Sequence, residues 1–250
     1  MTAPRLLDLG CGAGAVSVGY HRAGFDVTGV DINPQPRYPF TFIQADALTA
    51  DLSGYDAFHA SMPCQRWSVS THSQRRNGRE YPDLITPLRP RLEATGRPWI
   101  MENVPEAPLR ADLELCGCMF EGTRTETLEL RRVRVMELSW RPAPFHPRHD
   151  HRLPAISIAG HGTPAWQRRL TGHVPVAVWR QVMGIGWMNR EELTEAVPPV
   201  YAHYAGCLLM MQVLASPRLV SHDGSSGLGV TPGGGPGVPG GGGCVAAGTQ

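Results

Sequence analysis

A chain of 250 residues, 42% hydrophobic and 18% charged, is long enough to bury one medium-sized core. It holds no run of about 18 apolar residues that could span a bilayer, and Met1–Gly10 shows no basic segment leading into an apolar stretch, so neither a membrane anchor nor a secretory leader is expected. The net charge of +1 is a near-cancellation: residues 1–60 carry three Arg against six acids, residues 61–180 carry 18 Arg against 12 acids, and residues 181–250 carry two Arg against four acids. The chain has no Lys, which codon bias explains; codon bias does not explain why the Arg crowd into the middle.

Along the chain, strands and helices alternate through the first hundred residues. Arg5–Leu9 reads as an apolar strand, Gly10–Gly14 as a turn that suits glycine, and Ala15–Ala23 as a helix stopped by Gly24. Phe25–Val30, Phe40–Gln44, Tyr55–Ala60 and Pro98–Val104 read as four further strands. Before the last of them, Leu84, Leu88 and Leu92 give Asp83–Thr95 a helical period, which Pro87 and Pro90 should kink or break. This alternation specifies an α/β fold, a parallel sheet with helices on its faces. Periodicity fades from about Arg110 to Arg180, with short strands expected around Val133–Leu138 and Ala155–Ala159. A helix over Val200–Leu214 should pack near the first strand and complete the ligand pocket. Trp179, Trp187, Met210 and Met211 read as core residues. Of 29 glycines, 12 follow Ser221, in a Gly/Pro/Ser-rich tail that cannot bury apolar surface and is expected to be disordered. The expected organisation is therefore a core over 1–110, a basic segment over 111–180, a return to the core over 181–214, and a tail over 215–250.

The glycine turn carries the first chemical signal. Gly10, Gly12 and Gly14, with Cys11 between them, follow a strand and open a helix, so backbone and helix dipole can both approach a ligand. Asp31, with Ile32 beside it, ends the second strand, where a carboxylate accepts from ribose hydroxyls. Dehydrogenases and methyltransferases share this pattern. Asp8, placed to face a cationic amino acid moiety, and Asp46 with Ala47, placed to accept from an adenine amino group, lean it toward S-adenosyl-L-methionine. Cys11 reads as a packing residue.

The second signal lies at the ends of the fourth and fifth strands. Pro63-Cys64-Gln65 directly follows one, and Glu102-Asn103-Val104 ends the other, so a thiol and a carboxylic acid should meet at the carboxyl edge of the sheet, where open α/β folds bind ligands. A helix start and the neighbouring Arg66 are expected to lower the pKa of Cys64 and make it a nucleophile. The remaining cysteines, Cys116, Cys118, Cys207 and Cys244, form no C-x-x-C pair, and His146, His149 and His151 have no cysteine spaced to complete a cluster. No metal site is expected: Cys116-Gly117-Cys118 reads as a buried turn, the histidines as part of a solvated basic loop.

Taken in order, these motifs resemble the DNA cytosine-5 methyltransferase family, especially the short single-domain forms of phages and actinobacteria. The resemblance covers most of residues 5–214. It matches Asp8–Gly14 to the cofactor loop, Asp31 and Asp46-Ala47-Leu48 to the ribose and adenine contacts, Pro63-Cys64-Gln65 to the nucleophile motif and Glu102-Asn103-Val104 to the catalytic acid. Arg132-Val133-Arg134 resembles the paired arginines that hold a flipped base, and Gly184–Met188, Glu191–Leu193 and Val197–Tyr201 resemble the closing segment of the short forms. It implies a Rossmann-like S-adenosylmethionine-dependent methyltransferase fold with a small irregular target-recognition segment, acting on double-stranded DNA as a cytoplasmic monomer. The nine Arg against two acids over 131–180, Arg168 and Arg169 among them, suit phosphate contacts. So do Arg66, Arg75, Arg76 and Arg79 after the nucleophile, with Gln65 beside it. The chain departs from the family pattern at Gly10, where a Phe is usual, at Ala15, where a Gly is usual, at Met62, where a Pro is common, and at Leu130, where a Gln is frequent. The same chemistry on RNA or a free nucleotide, or a DNA-binding protein without catalysis, remain the alternatives at this point.

Overall fold

The computed structural model describes residues 2–141, 147–158, 169 and 172–215, so the glycine-rich tail lies outside the described residues. Five parallel strands form where the apolar runs place them: β1 (Arg5–Leu9), β2 (Asp26–Asp31), β3 (Thr41–Gln44), β4 (Ala57–Ser61) and β5 (Trp99–Asn103). Two short segments of the basic region, β6 (Leu113–Leu115) and β8 (Arg134–Leu138), extend the sheet to the order β3-β2-β1-β4-β5-β8-β6, with β8 antiparallel to both of its neighbours. The periodicity shows β8 but not the three-residue β6, which is too short to display an alternation.

Successive residues of β1 point to opposite faces, and both faces are covered. Leu6, Phe25, Val27, Ala57 and Ile100 pack beneath α1 (Ala15–Arg22) and the long C-terminal helix (Pro199–Ala215). Leu7, Leu9, Val30, Phe58, Ala60 and Met101 pack on the other side with Ile85, Leu88 and Leu92. Those three lie on one helix, Ile85–Ala94, which stays continuous through its prolines. Pro87 sits in its first turn, where N–H groups have no intrahelical acceptor in any case. Pro90 is interior, and the apolar face buried on either side of it holds the helix together. Asp83 caps the start, its Oδ1 accepting from the backbone of Ile85 and Thr86, each at 3.0 Å.

The C-terminal helix packs closely against α1, and its Tyr201, Ala202 and Leu209 share one buried cluster with Leu6 of β1. A Cβ at Gly19 would collide with the backbone of Pro199, and one at Gly206 would come within 2.8 Å of Ala23 and 3.0 Å of Tyr20. These two glycines let the helices meet at backbone distance. Met211, expected in the core, is 57% exposed because it falls on the outer side of this helix; Met210 is partly buried against the core.

The rest of the basic region builds a separate small core. β7 (Glu129–Leu130) pairs with β9 (Ala155–Ile156), and Leu130, Ile156 and Ile158 pack with Trp179, Val182 and Met183 of the helix Val176–Met183 and with Leu193 of the helix Arg190–Glu195. Ala13 and Ala15 belong to the same cluster, and the half-buried Trp187 donates from Nε1 to the Ala13 carbonyl at 2.9 Å. The irregular segment is thus seated on the glycine turn itself.

Candidate active site

The turn after β1 has glycine at each left-handed position, with φ of 72° at Gly10, 48° at Gly12 and 85° at Gly14. Gly10 is pinned where the loop crosses the end of β4: a Cβ there would lie 2.5 Å from the Ser61 carbonyl oxygen and 2.9 Å from Met62 Cε. That contact explains two departures at once, since the thioether of Met62 occupies the space above a residue that tolerates no side chain. Gly12, by contrast, faces open space, with no atom within 4 Å of the position a Cβ would take. Asp31 grips this loop from the end of β2, its Oδ2 accepting from Gly12 N at 3.0 Å and its Oδ1 from Asn33 N at 2.9 Å. Ile32 beside it is 64% exposed. Asp46 reaches the same edge after β3, since the next residue back, Ala45, donates its N–H to the Asp31 carbonyl. Its Oδ1 accepts from Leu48 N at 2.8 Å, and its backbone carbonyl accepts from Ala50 N, with Ala47 half-buried between.

Ser61 and Glu102 are register partners across β4 and β5, so the chain leaving β4 delivers Pro63 and Cys64 next to the carboxylate. Glu102 is buried (3% exposed); Ser61 Oγ donates to its Oε2 at 2.7 Å, and Arg134 Nε lies 2.9 Å from Oε1. The arginine N–H is not aimed along that contact, so Oε1 is a buried acceptor without an aligned donor. Asn103 locks the two strand ends together, Nδ2 donating to the Met62 carbonyl at 2.7 Å while Oδ1 accepts from Val104 N. Cys64 begins a 3₁₀ turn, Cys64–Arg66, and is half-buried with Trp67.

No protein-family model matches the chain, and no curated protein matches its sequence. Among solved structures it is similar to a protein described as a DNA modification methyltransferase encoded within an Escherichia coli prophage. The identity is 13% over 86% of this chain and 100% of that one, with a TM-score of 0.55. The chain has a methyltransferase fold. The S. pombe Dnmt2 methyltransferase aligns at TM-score 0.49 and 13% identity, over 83% and 98% of the two chains. The Entamoeba histolytica methyltransferase EhMeth aligns at 0.48 and 12%, over 86% and 98%.

Within this methyltransferase fold several sequence expectations are corrected. Asp8 does not face a ligand: it is fully buried, its carboxylate taken by Ser17 Oγ and by His59 Nδ1, the latter at 2.8 Å, because it lies on the face of β1 that packs under α1. The Cys64 thiol is not made acidic by a helix start and Arg66. Burial pushes its pKa up, the Glu102 carboxylate adds to that, and Arg134 and Arg132 pull the other way. Arg66 instead donates to the Tyr81 carbonyl at 2.7 Å. Arg75 is not held out toward a phosphate: its Nη1 donates to the carbonyls of Gln65 and Ser68 and to Thr71 Oγ1, at 2.8, 2.8 and 2.6 Å, and so shapes the loop after Cys64.

The other expected residues take varied places. Arg132 spans the small core, donating to the carbonyls of Ile158 at 3.1 Å and Thr194 at 2.6 Å, and burial with the nearby Arg134 charge lowers its pKa. Arg66 and Arg79 line an open cleft of about 830 Å³ with Trp67 and Tyr81, and Arg76 is exposed at the end of the short helix His72–Arg76. Arg169 is exposed, and Arg168 lies outside the described residues. Burial drives the Cys11 thiol far above its ordinary range, which suits packing. Finally, the reading of the histidines as a loop without cysteine partners is corrected: Cys116 and Cys118 come together with His149 and His151. Strand pairing joins residues some thirty positions apart, and local spacing carries no sign of it. Ser61 is a further site residue that no motif spacing marks as such, while the contacts of Asn103 and Trp187, both inside motifs, appear only in the fold.

Proposed function

We propose that the protein is an S-adenosylmethionine-dependent DNA cytosine-5 methyltransferase in which Cys64 is the nucleophile and Glu102 the acid. The observation that carries this reading is the carboxyl edge of β4 and β5, with a thiol directly after one strand and, on the other, a buried carboxylate whose Oε1 has no aligned donor. Cytosine offers a complementary edge, since its N3 and exocyclic amino group face a carboxylic acid as acceptor and donor. The base must leave the duplex to reach such a pocket. The cofactor would lie over the open face of Gly12, with Asp31 and Asp46 toward its hydroxyl and amino groups and Ile32 against its ring; when bound it supplies an electrophilic methyl group.

The rest of the chemistry belongs to the chain. The Cys64 thiolate adds to C6 while protonated Glu102 gives its proton to N3, so the electron pair of the C5–C6 bond is available at C5 for methylation. Transfer of the C5 proton to a solvent water then restores the C5–C6 double bond and expels Cys64 as the thiolate, and N3 returns its proton to Glu102. Arg134, in contact with Glu102, favours the carboxylate as the proton leaves. Arg76 and Arg79, with Arg66 and Gln65 at the base of the loop and Arg169 in the basic segment, would meet the duplex backbone. The test is transfer of labelled methyl from the cofactor to duplex DNA, RNA and dCMP, with Cys64→Ala beside the wild type. Label on cytosine C5 of DNA, lost in Cys64→Ala, is the expected result. Label that survives the substitution overturns the covalent mechanism, and label confined to RNA or dCMP overturns the substrate.

A further inference from the structure

Away from the carboxyl edge of the sheet, four metal-ligating side chains converge where the basic segment meets the sheet margin. Cys116 and Cys118 flank Gly117 in the turn that follows β6, and His149 and His151 come from the stretch leading to β9. One ligand atom from each of the four lies within 4.8 Å of every other. Cys116 Sγ is 3.5 Å from His151 Nε2, and the Nε2 atoms of the two histidines are 3.0 Å apart. A zinc tetrahedron with bonds of about 2.3 Å to sulfur and 2.05 Å to nitrogen has edges of about 3.3–3.8 Å, so a set this size needs only small adjustments to enclose an ion.

The surroundings suit a metal. His149 directs Nε2 into the cluster, and its Nδ1 lies 3.8 Å from Glu114 Oε1, so a small shift would bring a carboxylate behind the ligating imidazole. The cysteines are buried and the histidines exposed, which leaves a solvent side for ion entry. Gly117 lets the turn press against β7 while both thiols point the same way, since any Cβ there would collide with the Leu130 carbonyl. Two thiolates and two neutral imidazoles balance the charge of a divalent ion, and two sulfur and two nitrogen donors select zinc over the harder cations.

We propose that Cys116, Cys118, His149 and His151 bind one zinc ion in a closed, structural site. The ion would tie the stretch that leads to β9 to the end of β6, closing a loop of chain that contains β7, β8, Arg132 and Arg134. The inference is independent of the methyltransferase reading and is tested without an activity assay. The full chain, purified without chelators from zinc-supplemented cells, is expected to contain about one zinc per molecule by elemental mass spectrometry. Replacing zinc with cobalt is expected to give the intense ligand-field bands and thiolate-to-metal charge transfer of a tetrahedral two-thiolate site. Cys118→Ser and His149→Ala are each expected to weaken binding at least tenfold in chelator competition, whereas Cys64→Ser keeps its zinc. Should a variant misfold, the wild-type cobalt spectrum and a one-to-one cobalt titration decide alone. Zinc well below one equivalent with no thiolate–cobalt band overturns the proposal, as does full zinc retention in a Cys116→Ser, Cys118→Ser double variant.

Discussion

The parallel sheet and the basic segment are held together by different means. In β1, β2, β4 and β5, apolar residues face two buried sides of the sheet, and the backbone ladder does most of the positioning; Ser61 and Glu102 meet because their strands are in register. In the basic segment the strands are two to five residues long, and buried polar side chains supplement short ladders. Buried Glu129 accepts from Arg131 at 2.8 Å and from the backbone of Arg152 and Leu153 at 3.1 and 3.2 Å, while Glu137 on β8 receives Arg89 at 2.9 Å and Arg110 at 3.3 Å. A ladder spreads its stability over many weak, equivalent bonds. An anchor concentrates it in one carboxylate, whose loss leaves several donors unpaired.

This contrast can be broken or sharpened by substitution. The largest effect is expected at the carboxyl edge: Cys64→Ala should lower methyl transfer by at least about 10³-fold while leaving the melting curve nearly unchanged. Gly10→Ala should destabilise the sheet by about 2–4 kcal/mol in denaturant titrations, because the new Cβ meets Ser61 at a positive φ. Glu129→Gln should cost about 1–3 kcal/mol, and hydrogen exchange should rise around β7 and β9 but not in β1 or β4. Equal exchange in both regions would erase the distinction.

Smaller effects concern charge. Because burial raises the Cys64 pKa above its ordinary value of 9.0, alkylation of this thiol should still be climbing at pH 9. Glu102→Gln removes a charge that raises the pKa and should speed alkylation at pH 8, whereas Arg134→Gln removes one that lowers it and should slow it. The smallest expected change is in DNA binding: Arg76→Ala should reduce the salt-dependence slope by about one counterion. Arg75→Ala should instead loosen the loop after Cys64, seen as faster proteolysis between Gln65 and Thr71.

What the sequence disclosed follows the same division. Apolar runs marked all five parallel strands, and the glycine turn, Cys64 and Glu102 could be placed at strand ends by counting. Which way a side chain faces was harder. Asp8 reads as a ligand contact from its place before the glycines, yet it lies on the α1 side of β1, bonded to Ser17 and His59. Arg75 looks like a surface cation by composition, yet it satisfies three backbone carbonyls of a tight loop, a demand that only the folded backbone creates. The Cys and His cluster depends on the non-local pairing of β6 with β8 and of β7 with β9, so no local window contains it.

The near-contact of α1 with the C-terminal helix has a consequence for how the molecule is made. α1 follows the glycine turn, but the surface that covers Tyr20 and Gly19 is contributed by Tyr201, Ala202 and Gly206, about 180 residues later in the chain. Contacts of such sequence separation are slow to form and leave early segments uncovered in the meantime. A nascent chain stopped before Pro199 should therefore expose the apolar side of α1 and bind a hydrophobic dye, and emergence of the helix Pro199–Ala215 from the ribosome should be the event that silences it.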